Sequence, residues 1–396
     1  MNKKVGIITY FDIADGKGRL LQAYALYSAI FKLGYTPQII DYNPVFDRSL
    51  IARLKRASKN MSVHLFVNII DTLLKKSLSK SYIDAKNRQR VKNSLFIQNH
   101  ISMTEHVTTS DQLYNIQTRY DAIVCGSDQI WNPFFATGKD SAYFLQFADK
   151  YKRISYAPSF GTNNIPKDIL EKLISFIQDI PYCSMREQSS VHMLNEQYGM
   201  HLTHVLDPTF LMTREWWNDF ANSYAPQEPY VLSFLFDNSL FPREITRKIA
   251  DMLHCKVINI PEDTLYDVIF SDKGYADISI IDFVSLFKNA TFVCTQSFHG
   301  TVLSLLYNRP FLVFNRKVDR MGIFTRINDL LNLVELKNRI IYSQTSFDLL
   351  PPLDIDYVRV NTLLEDYRRR SLKFLKEALV LACSGSNIQK CYDEKE

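Results

Sequence analysis

The feature that most constrains this chain is a strand, a helix and a second strand compressed into its first forty or so residues. Val5 to Tyr10 is an apolar run. Arg19 to Leu33 carries apolar residues at helical spacing and stops at Gly34, and Thr36 to Tyr42 is apolar again before Asn43-Pro44. A βαβ unit of this kind makes its two strands parallel, and a parallel sheet has to be covered on both faces. The same grammar, an apolar strand closed by a small or polar turn, returns at 120–128, at 154–161 and around 182–186. A second series follows at 230–236, 256–260, 291–295 and 311–314.

At 396 residues the chain exceeds one ordinary core. The expectation is an α/β protein of two Rossmann-like lobes with a central cleft. Residues 1–220 form the first lobe, with a basic helical insertion at about 47–98, and residues 221–384 form the second. The boundary falls between about 212 and 229, where Trp216, Trp217, Pro226 and Pro229 interrupt the pattern. A long amphipathic helix runs from Asp354 to about Ala382, with Arg368-Arg369-Arg370 near its middle, and 385–396 is a polar tail. Ligands of such sheets sit beyond the C-terminal ends of the strands.

Composition excludes several classes. An apolar share of 46% with 22% charged residues is that of a folded globule. No stretch approaches the roughly 18 uninterrupted apolar residues of a membrane span. The first ten residues have too short an apolar run for a secretory signal, so they read as a buried strand. Six scattered cysteines without a C-x-x-C pair read as buried, reduced thiols of a cytoplasmic protein. The histidines show no ligand spacing beyond His201 and His204, so no catalytic zinc is expected. The net charge of +5 is unevenly placed: Arg48 to Lys92 holds twelve Lys and Arg against Asp71 and Asp84. That stretch is either a solvated helical face or a contact for anionic lipid headgroups or a lipid-linked pyrophosphate, since apolar residues interleave. No nucleic-acid motif accompanies it.

The chemistry concentrates in the turns. Cys294-Thr295-Gln296-Ser297-Phe298-His299-Gly300-Thr301 reads as strand, turn and first helical turn, setting a His and two hydroxyls beside helix N–H groups that suit an anion. Asp15-Gly16-Lys17-Gly18-Arg19 lets backbone approach a ligand at a helix start, though it matches neither standard nucleotide motif. In Gly126-Ser127-Asp128, Ser127 and Asp128 either cap the next helix or touch substrate, Asp128 as an acceptor of a hydroxyl proton. Arg186 ends a strand where a guanidinium can grip carboxylate or phosphate, or pair with Glu187. Asp207 before Pro208 reads as a turn-setting residue. Arg326 follows the 311–314 strand and either faces the cleft or is a surface residue.

Taken together, six strings resemble the polysaccharide pyruvyl transferase family, in that family's order over about residues 5 to 335. They are 21–26 (Leu-Gln-Ala-Tyr-Ala-Leu), 126–133 (Gly-Ser-Asp-Gln-Ile-Trp-Asn-Pro), 155–161 (Ser-Tyr-Ala-Pro-Ser-Phe-Gly), 184–187 (Ser-Met-Arg-Glu), 207–210 (Asp-Pro-Thr-Phe) and 297–301 (Ser-Phe-His-Gly-Thr). The resemblance implies a glycosyltransferase-B-like fold and transfer of pyruvate from phosphoenolpyruvate to sugar hydroxyls of a surface polysaccharide or its lipid-linked precursor. Phosphoenolpyruvate is then a donor substrate, with no cofactor and no metal, and the location is cytoplasmic, either free or peripheral at the inner membrane face through 48–92. The expected catalytic residues are His299, Arg186 and Asp128. His299 protonates the donor or holds its phosphate, Arg186 grips a donor anion, and Asp128 is the general base. Gly16, Lys17, Gly18, Arg19, Ser127, Ser297, Gly300, Thr301 and Arg326 are the expected substrate-binding residues. The chain departs from the family at Gly16-Lys17-Gly18-Arg19, where Asn-Tyr-Gly-Ala is usual, and at Ser297, where better-studied members carry Arg. Lys17 or Arg19 then stands in for the absent cation. Two other readings stay open: a glycosyltransferase using a nucleotide-sugar donor, and a non-catalytic sugar-binding relative.

Overall fold

A computed structural model of the chain describes residues 2–10, 17–43, 83–221, 226–236, 239–260, 271–275, 277–315, 324–343 and 345–393. Gly16, most of the basic 48–92 stretch and the end of the polar tail lie outside the described residues.

The opening pattern folds as its spacing dictates. Strand β1 (Lys4–Ile8) is followed by helix α1 (Lys17–Lys32) and β2 (Thr36–Ile39), and β1 pairs with β2 in parallel. Gly34, at φ +91°, takes the left-handed conformation that lets the chain leave α1 and turn into β2. Strands β3 (Ala122–Cys125) and β4 (Arg153–Ser155) complete a parallel sheet of order β2-β1-β3-β4. β3 is buried at every residue, the mark of a strand covered on both faces.

Between β2 and β3 lie helix α2 (83–100) and α3 (Ser110–Ile116), the latter started by a capping box between Thr109 and Gln112. α2 packs on α1 through Phe96, whose ring meets that of Tyr24 edge-on at 5.0 Å. After β4 come α4 (Lys167–Ile177), β5 (Ser184–Met185), α5 (Gln188–Tyr198) and β6 (Thr203–His204). A parallel bridge between Ile154 and Tyr182 ties the short β5–β6 pair to β4.

Helix α6 (Arg214–Phe220), with Trp217 fully buried, leads to the second sheet. Its strands are β7 (Tyr230–Phe234), β8 (Lys256–Asn259), β9 (Lys273–Gly274), β10 (Phe292–Thr295), β11 (Phe311–Phe314) and β12 (Ile340–Ile341). They run parallel in the order β12-β11-β10-β7-β8-β9. Helices α7 (Leu240–Met252), α8 (Ile280–Asn289), α9 (Phe298–Leu306) and α10 (Thr325–Leu333) connect them. Every residue of α9 is buried, as its nearly continuous apolar sequence requires.

The last helix, α11 (Tyr357–Asp393), is longer than expected and does not stay with the second lobe. Near its start Tyr357 donates its hydroxyl proton to the Arg309 carbonyl in the second lobe. One third of the way along, Ser371 Oγ accepts from Leu206 N (2.9 Å) in the first. Leu375 and Leu379 are fully buried and belong to an apolar cluster that continues into both sheets. The helix straps the lobes together because its apolar stripe outruns the surface either lobe offers alone. Among the described residues no helix is long and apolar enough to cross a membrane.

Each sheet reverses its strand order once. In the first, the chain lays β2 on one side of β1 and β3 on the other; in the second, β8 and β10 flank β7. Crevices outside strand C-termini form at such reversals. The segments leaving β1, β3, β7 and β10 supply much of the lining of one cleft between the lobes, of about 290 Å³.

Candidate active site

Lys17, Gly18 and Arg19 enter this cleft from the first turn of α1, and Ser297, Phe298 and His299 from the first turn of α9. The two helix starts touch. A Cβ placed on Gly18 would lie 2.2 Å from His299 Nδ1, so only glycine lets the imidazole sit where it does. Ser297 is the N-cap of α9, its Oγ accepting from Gly300 N (3.2 Å), and Thr301 Oγ donates to the Ser297 carbonyl (2.9 Å). Gly300 is needed for packing, since a Cβ there would lie 2.5 Å from Thr295 Oγ1. Gly300 and Thr301 therefore build the turn without lining the cleft.

Asp128 is reached through an unusual backbone. It takes φ 61° and ψ −164°, a region costing a non-glycine residue about 1–3 kcal/mol. Hydrogen bonds to its carbonyl from Ile130 N (2.8 Å) and Ser159 N (2.9 Å) hold it there. Ser127 anchors the turn from behind. Its Oγ donates to the Ala157 carbonyl (2.7 Å), its N donates to Gln22 Oε1 (2.9 Å), and it is fully buried outside the cleft lining. Ser127 thus serves as a scaffold of the turn.

Five charged side chains, Asp128, Arg186, Glu187, Asp207 and Arg326, then converge with His299. Arg186 Nη1 donates to Asp207 Oδ2 at 2.7 Å, Nη2 donates to Asp128 Oδ1 at 3.1 Å, and Nε reaches Glu187 Oε1 at 3.4 Å. Arg326, from α10, donates from Nη1 to the same Asp128 oxygen at 3.0 Å. His299 Nε2 lies 3.6 Å from Asp207 Oδ2. The ring of Phe298 is the platform for this cluster, with the Arg186 guanidinium 4.3 Å and that of Arg326 5.4 Å from its centre.

Arg186 differs from its expected role. It is buried, it is engaged by three carboxylates, and the cleft is lined by Arg326 and Asp128 in front of it. Its guanidinium forms the floor beneath the site. Lys17, Arg19 and Arg326 are the cations that line the cleft itself. The Arg19 guanidinium lies 3.9 Å from the Tyr10 ring centre, and Lys17 Nζ is 6.0 Å from that of Phe234.

Electrostatics follow from this packing. Burial alone would raise the Asp207 carboxyl, but His299 and Arg186 beside it outweigh that and hold it far below the usual carboxylate range. Burial acts the same way on Asp128, and Arg186 and Arg326 again win, keeping it low and ionised. Glu187, where burial dominates over Arg186, is shifted upward instead. Among the described residues no group of His, Cys, Asp and Glu side chains is arranged to hold a metal ion.

The remaining lining is aromatic: Tyr10, Phe135, Phe234, Phe236 and Phe324, with Gln296. The sequence reading passed over these because single aromatics after strands look like core. The available signal was the position of Tyr10, Phe234 and Phe236 at or just beyond the C-terminal ends of β1 and β7. Gln296 is tied down by donation from Phe236 N to its Oε1 (2.8 Å).

The fold is a two-lobed α/β architecture of the glycosyltransferase-B-like kind. Arabidopsis thaliana UGT89C1 complexed with UDP-L-rhamnose superposes with a TM-score of 0.50 at 13% identity, over 97% of this chain and 100% of that one. UDP-GlcNAc 2-epimerase from Methanocaldococcus jannaschii gives 0.48 at 12%, over 91% and 92%, and MurG from Acinetobacter baumannii 0.42 at 10%, over 96% and 95%. At 13% identity the first likeness is one of fold alone. No curated protein matches the chain in sequence. The pattern of the polysaccharide pyruvyl transferase family matches residues 17–317, and the chain belongs to that family.

Proposed function

We propose that the protein moves the pyruvyl group of phosphoenolpyruvate onto two hydroxyls of a surface-polysaccharide sugar or its lipid-linked precursor. The observation that carries this reading is the meeting of two helix N-termini, those of α1 and α9, in one cleft lined by Lys17, Arg19 and Arg326. First-turn N–H groups have no intrahelical acceptor and carry partial positive charge. Cations in the first turn of α1 oppose that helix's own dipole, an arrangement that suits a bound anion. Phosphoenolpyruvate brings two anionic groups, and this cleft offers a positive seat from each lobe.

Ketal formation begins with proton transfer to the donor's methylene carbon. A sugar hydroxyl then adds to the neighbouring carbon, its proton passing to the imidazole that has just given one up, and a second hydroxyl displaces phosphate, which leaves with the bonding electron pair and takes up that hydroxyl's proton. His299 supplies the first proton from the cleft side of its ring. Asp128, held ionised between two arginines, orients the attacking hydroxyl. Its depressed pKa makes it a weaker base than an ordinary carboxylate, so its contribution is orientation and charge more than proton removal. The aromatic lining offers flat apolar faces for the sugar. The charged 48–92 stretch, with a cytoplasmic enzyme set against anionic lipid, belongs to the same proposal. Within its described part, Arg88 and Lys92 are already engaged by Asp277.

The test is the purified full chain with phosphoenolpyruvate and a pool of lipid-linked oligosaccharides. Phosphate release that requires the acceptor, with a product heavier by one pyruvyl ketal, is the expected result. Turnover of a nucleotide-sugar with none of phosphoenolpyruvate would overturn it. A second expectation concerns Gly18→Ala. The added methyl drives the imidazole out of position, and misplacement of this order costs about 100-fold in turnover. Circular dichroism should show an unchanged fold, and full activity would show that the position of His299 is unimportant.

A further inference from the structure

We infer that Asp207 is the positioning residue for His299, and that this pairing is made across the two lobes. The inference rests on the reading of His299 as the proton donor. His299 Nε2 is buried and has no hydrogen-bond partner within 3.5 Å. A buried ring N–H without an acceptor is costly, so the ring settles toward whatever acceptor it faces. That acceptor is Asp207 Oδ2, at 3.6 Å.

Asp207 is itself immobilised. Oδ1 accepts from Thr209 N (3.0 Å) and Oδ2 accepts from Arg186 Nη1 (2.7 Å), which fixes the carboxylate plane. On the other side of the imidazole, Nδ1 faces Gly18, where a missing Cβ leaves room. With the hydrogen on Nε2 directed at Asp207, the neutral ring presents the Nδ1 lone pair toward Gly18 at the edge of the cleft, and the imidazolium presents Nδ1–H there. The Phe298 ring stands edge-on to His299, the ring centres 5.3 Å apart.

The charged groups around His299 are Asp207 and, farther off, Asp128, with Arg186, Arg326 and Lys17 opposing them. Asp207 alone comes close enough to act through direction as well as charge. It belongs to the first lobe, in the turn that packs on α1, while His299 belongs to the second. Parted lobes would leave the imidazole without its orienting carboxylate. Proton donation is therefore ready only when the cleft is closed.

The experiment has two readouts. In the unliganded wild-type protein, ¹⁵N NMR of the His299 ring should show the neutral form carrying its hydrogen on Nε2. In Asp207→Asn that preference should be lost. The same variant should lose about 10²–10⁴-fold in kcat, the range seen when a carboxylate orienting a catalytic His is neutralised, with donor KM changed less than threefold. The alkaline limb of its pH–rate profile, where a proton-donating imidazolium is lost, should move to lower pH because a carboxylate no longer favours the charged ring, and Asp207→Glu should restore part of both. Hydrogen on Nδ1 in the wild type would overturn the inference, as would an unshifted pH limb in the Asn variant. If Asp207→Asn does not fold, the wild-type spectrum decides alone. An Nε2–H tautomer in a protein that turns over no phosphoenolpyruvate would sink the proposed reaction and leave the pairing intact.

Discussion

Exchange of Arg186 for Met should lower the free energy of unfolding by about 3–5 kcal/mol, the usual consequence of deleting one partner from a buried ion cluster. Met keeps most of the volume over Phe298, so packing is a minor part of the loss. The charge matters more. Arg186 is the shared partner of Asp128, Asp207 and Glu187, all buried. Without it Asp207 retains the Thr209 N–H and the more distant His299, and Asp128 retains Arg326.

The pH dependence distinguishes this from a simple cavity. In the wild type, Asp128 and Asp207 have folded pKa values below their unfolded ones. Their stabilisation is therefore present above the ordinary carboxylate range, about pH 4, and is lost as pH falls through the depressed folded values. In the variant, burial dominates and the two carboxyls rise. The deficit relative to wild type should be widest near pH 7 and narrow toward pH 4. Urea unfolding at several pH values measures it, and a deficit independent of pH would show that the carboxylates are not what Arg186 stabilises.

The same cluster shows where sequence reading succeeds and where it stops. The parallel α/β order was legible because it is local: apolar runs of strand length, helical spacing between them and glycines that end helices are written in contiguous residues. Strands β1, β7, β8, β10 and β11 lie where their apolar runs place them. The turn at His299 was legible for the same reason, since Ser297, Gly300 and Thr301 cap and tighten one helical turn.

What could not be read was who partners whom. Arg186 meets Asp207 and Asp128 at sequence separations of 21 and 58 residues, and Arg326 meets Asp128 at 198. Nothing local records those meetings, so Arg186 looks like a free cation when it is a buried one. Asp207 was hidden by a correct but partial explanation. Its Oδ1 does set the turn at Thr209, as an Asp before Pro suggests, while Oδ2 serves Arg186 and faces His299. The strap formed by α11 was missed because helical periodicity reports an apolar stripe and not which lobe it covers.

His299→Ala should remove about 10²–10⁴-fold of kcat, the usual contribution of a positioned general acid. The direction of the KM change separates the two roles left open for this residue. As a proton donor, His299 acts on a carbon that changes in the transition state, and its loss lowers kcat while donor KM stays within a few-fold. As a phosphate holder it binds ground state and transition state alike, and its loss raises KM with kcat preserved. The structure favours the first outcome. The proposed anion seat has Lys17, Arg19 and Arg326 as cations of its own, apart from the imidazole. The imidazole, by contrast, lies between a carboxylate in the first lobe and the glycine of α1, an arrangement that suits a proton in transit more than a fixed charge. Steady-state phosphate release at varied donor concentration decides it, and a rise in KM without a fall in kcat would assign His299 to binding.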